Sequence, residues 1–452
     1  MTFSDINFLL IFILIFVPIY AVLPQKVKPF ILLAGSIIFY AINDIRVLPV
    51  LLVDIVVVFA FGKLTDTAFN MPKIRTAIIY IGIALQIVLM LLSIFLFRNH
   101  AFIGVGFFTI QLIGYYLDIY RNNIYPCRNF LTFANHVLFF PKVLQGPIVS
   151  FESLSEELEN PERVSSEKLE KGIRTFILGI SLKILIADNL SFLWNGVQTV
   201  GFQSISTPLA WLSMYSYSMQ LYFDFQGYSL MAIGVAQMLG FTLPMNFRSP
   251  YLSKSISAFY RRWHMTLGDW FKNYVYIPLG GSKNGTLKTV LSLSVVWVLT
   301  GLWHGVTINY MMWAMTLLFF ILLEKFALKK VLKSKNVFAS IFCHVYVLLI
   351  IPMTWVMFAI PDPEQIGIFF TRLFGLTAIC QPLYVNKSDF MNYLGDYAPF
   401  LFCGVLCCFP FVEDALVKTR IYMTRFISFA LFWLCIYMVM KNGNNPFMYI
   451  NF

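Results

Sequence analysis

Apolar runs that are long enough to cross a lipid bilayer recur along the whole chain, and they constrain its fold more than any other feature. A membrane-spanning helix needs about 20 apolar residues, and about 17 suffice at the lower limit. Runs of this kind lie near 7–24, 77–97, 101–117, 173–199, 208–223, 288–302, 306–323, 340–360, 396–413 and 426–440, with shorter ones near 29–41 and 47–62. Because lipid offers the backbone no hydrogen-bond partners, each run must be helical. The sequence predicts an all-α polytopic membrane bundle with roughly ten to twelve transmembrane helices.

Charged residues are few and unevenly placed. Only 12% of the 452 residues are charged, against about 25% in soluble domains. Lysine and arginine outnumber aspartate and glutamate by 33 to 22, and the excess lies in short loops beside the apolar runs. The clusters are Lys26 with Lys28, then Lys325, Lys329, Lys330, Lys333 and Lys335, and finally Lys418, Arg420 and Arg425. The positive-inside rule assigns these loops to the cytoplasm and the N-terminus to the outside, and the pattern does not indicate a nucleic-acid partner.

No polar stretch is long enough to predict a separate soluble domain. We therefore expect residues 1–452 to form one membrane domain, embedded in lipid, with the candidate site in a core at about 101–325. The longest polar segment, 151–171, predicts a loop followed by a short amphipathic helix, interrupted at Pro161. The seven cysteines lie mostly in apolar runs without metal-ligand spacing, which favours small buried side chains over a disulfide or metal site.

Residues 246–288 differ from the rest of the chain because charged and aromatic side chains are mixed there. They include Arg248, Lys254, Arg261, Arg262, His264, Asp269, Lys272, Lys283, Lys288, Trp263, Trp270, Tyr274 and Tyr276. The stretch is too polar to span a bilayer and too aromatic to lie free in water. It predicts interfacial or re-entrant helices that line a wet cavity, followed by a tight turn at 278–285 whose glycines tolerate positive φ.

Two histidines, each preceded by tryptophan, are the strongest candidates for chemistry. His304 follows Trp303 within an apolar run, and His264 follows Trp263. Ionisable side chains in a membrane are costly and mark functional sites, and histidine exchanges protons near neutral pH because its unperturbed pKa is about 6.5. We predict that His304 is a general base that takes a proton from a hydroxyl. A structural hydrogen bond to a neighbouring helix is the alternative.

Side chains beside these histidines complete the predicted substrate-binding set. Trp303 would form a large wall with one N–H donor, and Gly305 would let a substrate approach the backbone; Trp263 is assigned to the same surface. Guanidinium groups match phosphate oxygens, so Arg261 and Arg262 would hold the phosphates of a carrier, with a snorkelling interfacial pair as the alternative.

Two further residues belong to the predicted set. Asp224 stands between aromatic residues in an apolar helix, and such a carboxylate is expected to pair with an arginine or a polar network. Asn246 is assigned as another contact of the substrate or donor. The remaining histidines, His100, His136 and His344, are not assigned to catalysis, and no metal ligands are predicted.

At these residues the chain resembles the membrane-bound O-acyltransferases, within them the bacterial branch of alginate O-acetylation and teichoic acid D-alanylation. One departure is Gln226, where the Asp-Phe-Ser-Gly-Tyr pattern of the family has serine. The stretches that carry the resemblance are 1–4, 104–109, 116–121, 140–142, 146–148, 222–229, 244–247, 250–251, 261–264, 276–281 and 301–305.

The resemblance implies roles for both histidines. His304 matches the family's invariant catalytic histidine and His264 its second, supporting histidine, which orients the donor or balances charge, and both lie in a central tunnel surrounded by the helices. The donor substrate is an acyl thioester, acetyl-coenzyme A or an acyl carrier protein, and no permanently bound cofactor is implied. The acceptor is a polysaccharide outside the bacterial inner membrane, and extracytoplasmic acetyltransferase proteins are the expected partners.

Three functions follow from this sequence. O-acetylation of an exported cell-envelope polysaccharide is the leading hypothesis. D-alanyl transfer to teichoic acid from a carrier protein is the alternative within enzymes. A transporter or flippase, in which the histidines relay protons, is the alternative of another class.

Overall fold

A computed structural model of the protein describes residues 3–96, 104–143, 146–376, 388–418 and 422–442, and every regular element in them is helical. The all-α membrane fold predicted from the sequence is confirmed. The α-helices are Ile6–Phe8, Val17–Val22, Lys28–Asp44, Val47–Thr67, Pro72–Leu96, Val105–Tyr120, Phe130–Leu138, Phe140–Val143, Phe151–Glu159, Ser166–Ser181, Asp188–Val200, Thr207–Met238, Ile256–Tyr260, Met265–Phe271, Thr286–His304, Ile308–Phe326, Lys329–Leu332, Val337–Ala359, Pro363–Leu373, Asp389–Cys407, Pro410–Glu413 and Tyr422–Asn442. Shorter 3₁₀ segments lie at Phe202–Ser204 and Pro250–Leu252, and π-helical segments at Leu9–Phe16, Leu182–Ala187, Lys272–Tyr276 and Asp414–Lys418.

Seven of the described helical segments are long and apolar enough to cross a membrane, and an eighth span results if Asp389–Cys407 and Pro410–Val417, which meet at 82°, count as one. This is fewer than the roughly ten to twelve expected from apolar runs. The helices Lys28–Asp44 and Val105–Tyr120 have only 17 and 16 residues. Thr207–Met238 has 32 residues, but serine, glutamine and tyrosine side chains lower its hydropathy.

The described residues group into two compact units, and the first combines Met1–Ile180, Tyr228–Met245 and Val439–Phe452. Its core contains Tyr115, Tyr116 and Phe133, packed with aliphatic side chains. Two of its helices touch through glycines: a Cβ on Gly172 would lie 2.8 Å from the Gly234 carbonyl oxygen. The helices can approach this closely because neither residue has a side chain.

The second unit combines Ser181–Gly227 and Asn246–Met438. Its interior contains three packed indoles, with ring centroids 4.8 Å apart for Trp263 and Trp355 and 5.9 Å apart for Trp313 and Trp355. The helices Thr286–His304 and Ile308–Phe326 run antiparallel beside one another, and a Cβ on Gly301 would lie 3.1 Å from Ala314 Cβ.

The two polar stretches fold as short helices, with one change from the prediction. In segment 151–171 a short amphipathic helix, Phe151–Glu159, replaces the predicted loop. An irregular stretch around Pro161 follows, and the helix Ser166–Ser181 begins within the segment, where a helix was predicted. The side chains of Phe151, Leu154 and Leu158 are buried on one face of Phe151–Glu159, which stabilises this helix. The predicted short helices of 246–288 are present, and the turn at 278–285 has positive φ at Gly280, Gly281 and Gly285, as predicted.

Candidate active site

His304 is the last residue of its helix. The helix ends there because Gly305 adopts φ 146° and ψ 161°, a conformation that is open almost only to glycine. A Cβ on Gly305 would also lie 2.8 Å from the ring of Tyr310. The sequence predicted that Gly305 admits a substrate to the backbone; in the structure the Tyr310 ring lies against it.

Aromatic rings surround the half-buried His304 imidazole. Its centroid lies 5.1 Å from that of Trp313 and 5.2 Å from that of Phe358, both edge to face, and 6.2 Å from that of Tyr310. These rings come from the next helix and from Val337–Ala359, so the orientation of His304 is set by tertiary packing. Such walls exclude water and strengthen electrostatic interactions within the site.

His264 is buried and stands at the start of the helix Met265–Phe271 with φ 44° and ψ 54°, a left-handed conformation that is uncommon outside glycine. Its Nδ1 lies 3.2 Å from Asn246 Oδ1. Its ring meets Phe225 edge to face with centroids 4.8 Å apart. Strained backbone held by surrounding structure is frequent at functional sites.

The structure brings the two predicted histidines to one indole. Trp303 lies 4.9 Å from the His304 ring centroid and 6.4 Å from that of His264. Trp303, His304 and Gly305 are consecutive, whereas His264 comes from a different helix. The fold therefore joins the two Trp-His pairs that the sequence singled out.

The residues before His264 have different surroundings. Trp263 is buried among aromatic side chains, with its centroid 5.1 Å from Phe247 and 5.4 Å from Phe259. Arg261 is exposed and Arg262 is half-buried, and neither forms an ion pair with another described residue. Phosphate binding by these two arginines stays a prediction.

Asp224 is paired with a lysine in a polar group, where the sequence predicted an arginine or a polar network. Lys183 Nζ lies 2.8 Å from Asp224 Oδ1 and 2.5 Å from Asp188 Oδ1. Lys183 and Asp188 are five residues apart, a spacing that does not meet on an α-helix but does across the π-helical turn Leu182–Ala187. The sequence analysis missed both residues; their i, i+5 spacing within an apolar run was the available signal.

Glu324 is a second residue that sequence reasoning missed. Its carboxylate accepts hydrogen bonds from Ile256 N at 2.5 Å, Ser257 N at 3.0 Å and Ser257 Oγ at 2.6 Å. It is buried and caps the helix Ile256–Tyr260, which leads directly to the chain segment of His264. A glutamate near the end of an apolar helix is the sequence signal for such a cap.

The other histidines lie apart from this arrangement. His136, in the first unit, is buried with its Nε2 3.3 Å from Lys142 Nζ, and burial together with the Lys142 charge lowers the His136 pKa below its ordinary value. His344 is half-buried in the helix Val337–Ala359, and His100 lies outside the described residues. Among the described residues no group of three His, Cys, Asp or Glu side chains is arranged to hold a metal ion.

Comparison with known proteins identifies relatives of one kind. A family model described as MBOAT, membrane-bound O-acyltransferase family, matches residues 127–361, which include both histidines. The probable alginate O-acetylase AlgI of Pseudomonas fluorescens is 34% identical over 319 residues, or 69% of this chain and 64% of the relative. The match therefore spans about 64% of that relative's length.

More distant relatives act on other acceptors. The peptidoglycan O-acetyltransferase of Helicobacter pylori is 30% identical over 65% of this chain and 61% of its own length. The teichoic acid D-alanyltransferase of Bacillus subtilis is 31% identical over 48% of this chain and 56% of its own length. All three relatives are group-transfer enzymes by name, so the comparisons do not support a transporter.

Proposed function

Because the chain belongs to the membrane-bound O-acyltransferase family, we propose that it passes an acetyl group from a cytoplasmic thioester donor to a hydroxyl of an exported cell-envelope polysaccharide. Acetyl transfer is favoured over other acyl groups because the matches to the two O-acetylating relatives cover 69% and 65% of this chain, whereas the match to the D-alanyltransferase covers 48%. Coenzyme A or an acyl carrier protein holds the acyl group as part of the substrate. No permanently bound cofactor takes part.

The observation that carries this proposal is that the His264 and His304 rings both lie beside the Trp303 indole. The acceptor oxygen attacks the thioester carbonyl carbon while its proton passes to His304, and the carbon–sulfur bond breaks to release the thiol, which receives that proton. General base catalysis of this kind contributes about 10²- to 10⁴-fold in rate. His264, from the second Trp-His pair, supports this step by orienting the donor or balancing charge.

The proposed setting is the bacterial inner membrane. The multiple apolar helices are those of a multi-pass membrane protein, and the lysine-rich end of Ile308–Phe326, where Lys325 Nζ contacts Ser282 Oγ at 3.2 Å, faces the cytoplasm under the positive-inside rule. His304 lies at the opposite end of this helix pair, toward the side from which an exported polymer arrives. A tunnel from the cytoplasm delivers the donor, and extracytoplasmic acetyltransferases act as partners that complete the modification.

D-alanyl transfer to teichoic acid is the second candidate, supported by the identity with the Bacillus subtilis enzyme. That match covers less of the chain than the match to the alginate O-acetylase. Alanyl transfer requires a charged D-alanyl carrier protein as donor, whereas acetyl transfer does not. The choice of donor therefore separates the two candidates.

The test uses the full chain reconstituted in lipid vesicles with its extracytoplasmic partner fraction and purified envelope polymer. Acetyl-coenzyme A, an acetylated acyl carrier protein and a D-alanyl carrier protein are supplied in separate reactions, and the polymer is analysed by mass spectrometry. We expect a gain of one acetyl mass per modified hydroxyl. A gain of the alanyl mass selects the second candidate, and polymer that crosses the vesicle membrane with no change in mass refutes both.

A further inference from the structure

The side-chain oxygen of Asn246 lies within hydrogen-bond distance of three polar groups. It accepts hydrogen bonds from the Thr266 backbone N–H at 3.4 Å and from Thr266 Oγ1 at 2.7 Å, and it lies 3.2 Å from His264 Nδ1. A backbone N–H can only donate, so the Asn246 atom that faces it is the oxygen and not the amide nitrogen. An oxygen of this kind only accepts. His264 Nδ1 therefore carries the hydrogen of that contact.

This assignment decides the form of the imidazole. In a neutral histidine one nitrogen donates and the other carries a lone pair, so a proton on Nδ1 leaves the lone pair on Nε2. His264 Nε2 is buried and has no hydrogen-bond partner within the part of the chain that the structure describes. A buried acceptor without a partner costs about 1–3 kcal/mol, and such groups are retained where a function needs them.

The backbone holds the same arrangement in place. Met265 N donates to the Asn246 carbonyl at 2.8 Å, and Arg248 N donates to the Arg262 carbonyl at 3.0 Å. These bonds pair the chain on either side of His264 with the segment of Asn246 and support the left-handed conformation of His264. The Asn246 backbone therefore fixes the chain beside His264, and the Asn246 side chain contacts the His264 ring. Together these contacts restrict rotation of the ring.

We propose that Asn246 is a positioning residue that holds His264 in the Nδ1–H form and so presents the Nε2 lone pair to a hydrogen-bond donor of the bound substrate. The inference rests on the proposed acyl transfer and deepens it. The donor is an O–H or N–H of the substrate other than the reacting hydroxyl, whose proton goes to His304. Asn246 is thereby assigned to orienting His264 rather than to direct contact with the substrate.

The first test does not depend on activity. Histidine labelled with ¹⁵N and ¹³C is incorporated into the full chain in lipid bilayers, and solid-state NMR reports the tautomer of each ring. The His264 signals are identified by their loss in His264→Gln. We expect the neutral Nδ1–H form, which is the minor form of free histidine in water. The Nε2–H form at this position overturns the proposal.

The second test uses the pH profile of transfer. Asn246→Asp keeps the acceptor oxygen but adds a negative charge, which raises the His264 pKa by about one unit or more. Nε2 is then protonated at higher pH and loses its lone pair, so the acidic limb of the rate profile moves to higher pH. His304, whose ring packs on the same indole as that of His264, is the neighbouring titratable side chain and is unchanged in this variant.

Thr266→Val is the matched control, because it removes the hydroxyl donor from the same oxygen and leaves the backbone N–H and the His264 contact. It keeps the wild-type tautomer and pH profile. Asn246→Ala lowers kcat on the order of 10²-fold; if it does not fold, the aspartate variant and the NMR measurement still decide. An Asn246→Asp enzyme with an unshifted profile refutes the positioning role. Absence of any transfer by the wild-type chain refutes the proposed function instead, while the tautomer remains measurable.

Discussion

Two groups of buried polar side chains in the second unit differ in how completely their hydrogen bonds are matched. In the first, the Lys183 ammonium lies between the carboxylates of Asp188 and Asp224. In the second, His264 has a partner for Nδ1 and none among the described residues for Nε2, and its neighbours are aromatic rings. Both groups lie in the interior of a membrane protein, where unmatched polar atoms are costly.

This difference in hydrogen bonding indicates a structural role for the Lys183 group and a role in substrate binding for His264. The charges of Lys183 and its two carboxylates are neutralised by ion pairs within the group. These ion pairs hold the π-helical turn against Thr207–Met238. His264 keeps a lone pair free for something that the chain itself does not supply. In a membrane interior, the unmatched group is therefore the better indicator of where a substrate binds than the more highly charged one.

The largest expected effect concerns His304. His304→Ala removes the proposed base and lowers the rate of acyl transfer by about 10²- to 10⁴-fold, whereas the matched control His344→Ala leaves it at the wild-type value. The measurement is product formation by mass spectrometry at equal amounts of folded protein. His304→Gln, which better fills the space between Trp313 and Phe358, repeats the test. Full transfer by both His304 variants would contradict the assignment of the base.

Breaking the matched group affects stability instead. Lys183→Met leaves the buried Asp224 carboxylate and the half-buried Asp188 carboxylate without their cation. It lowers the free energy of unfolding by about 3–5 kcal/mol, measured as a fall in melting temperature in detergent. Adding Asp224→Asn to Lys183→Met removes one of the uncompensated charges and restores part of the loss. A Lys183→Met protein with wild-type stability but no transfer activity would assign this group to the reaction and reverse the comparison.

Gly305, the residue after His304, has a backbone conformation that favours glycine. Gly305→Ala forces alanine into a conformation that costs about 1–3 kcal/mol and places its Cβ against Tyr310, so both stability and transfer fall. Gly285→Ala is the matched control: its φ of 90° and ψ of 172° belong to the same region, but no atom lies within 4 Å of the added Cβ. Equal loss of transfer in both variants would exclude a specific effect of the Tyr310 contact.

The smallest effect is expected at Glu324. Glu324→Gln keeps one acceptor for the cap of Ile256–Tyr260 but removes the charge, which lowers the free energy of unfolding by about 1 kcal/mol. Transfer falls slightly because the capped helix leads to His264. Thermal unfolding and kcat are measured together. A loss of transfer as large as that of His304→Ala, at unchanged stability, would place Glu324 in the reaction itself.

Sequence reasoning succeeded where local pattern is sufficient. Apolar runs located the spans Thr286–His304 and Ile308–Phe326. The cost of a membrane histidine predicted His304 and His264 as candidates, and their roles in transfer stay predictions. It failed where residues distant in the chain meet. The lysine partner of Asp224 was missed because Lys183 stands in an apolar run and reaches Asp188 only through a π-helical turn. Glu324 was missed because its partners, Ile256 and Ser257, belong to another helix.

The chain by itself determined that this protein is a helical membrane bundle, and it predicted a chemical centre at two Trp-His pairs, because helix periodicity and the cost of burying charge act locally. The tertiary structure decided which nitrogen of His264 carries the proton, which cation faces Asp224 and which rings enclose His304. Those choices depend on the direction of side chains from separate helices. Only the packed fold sets that direction.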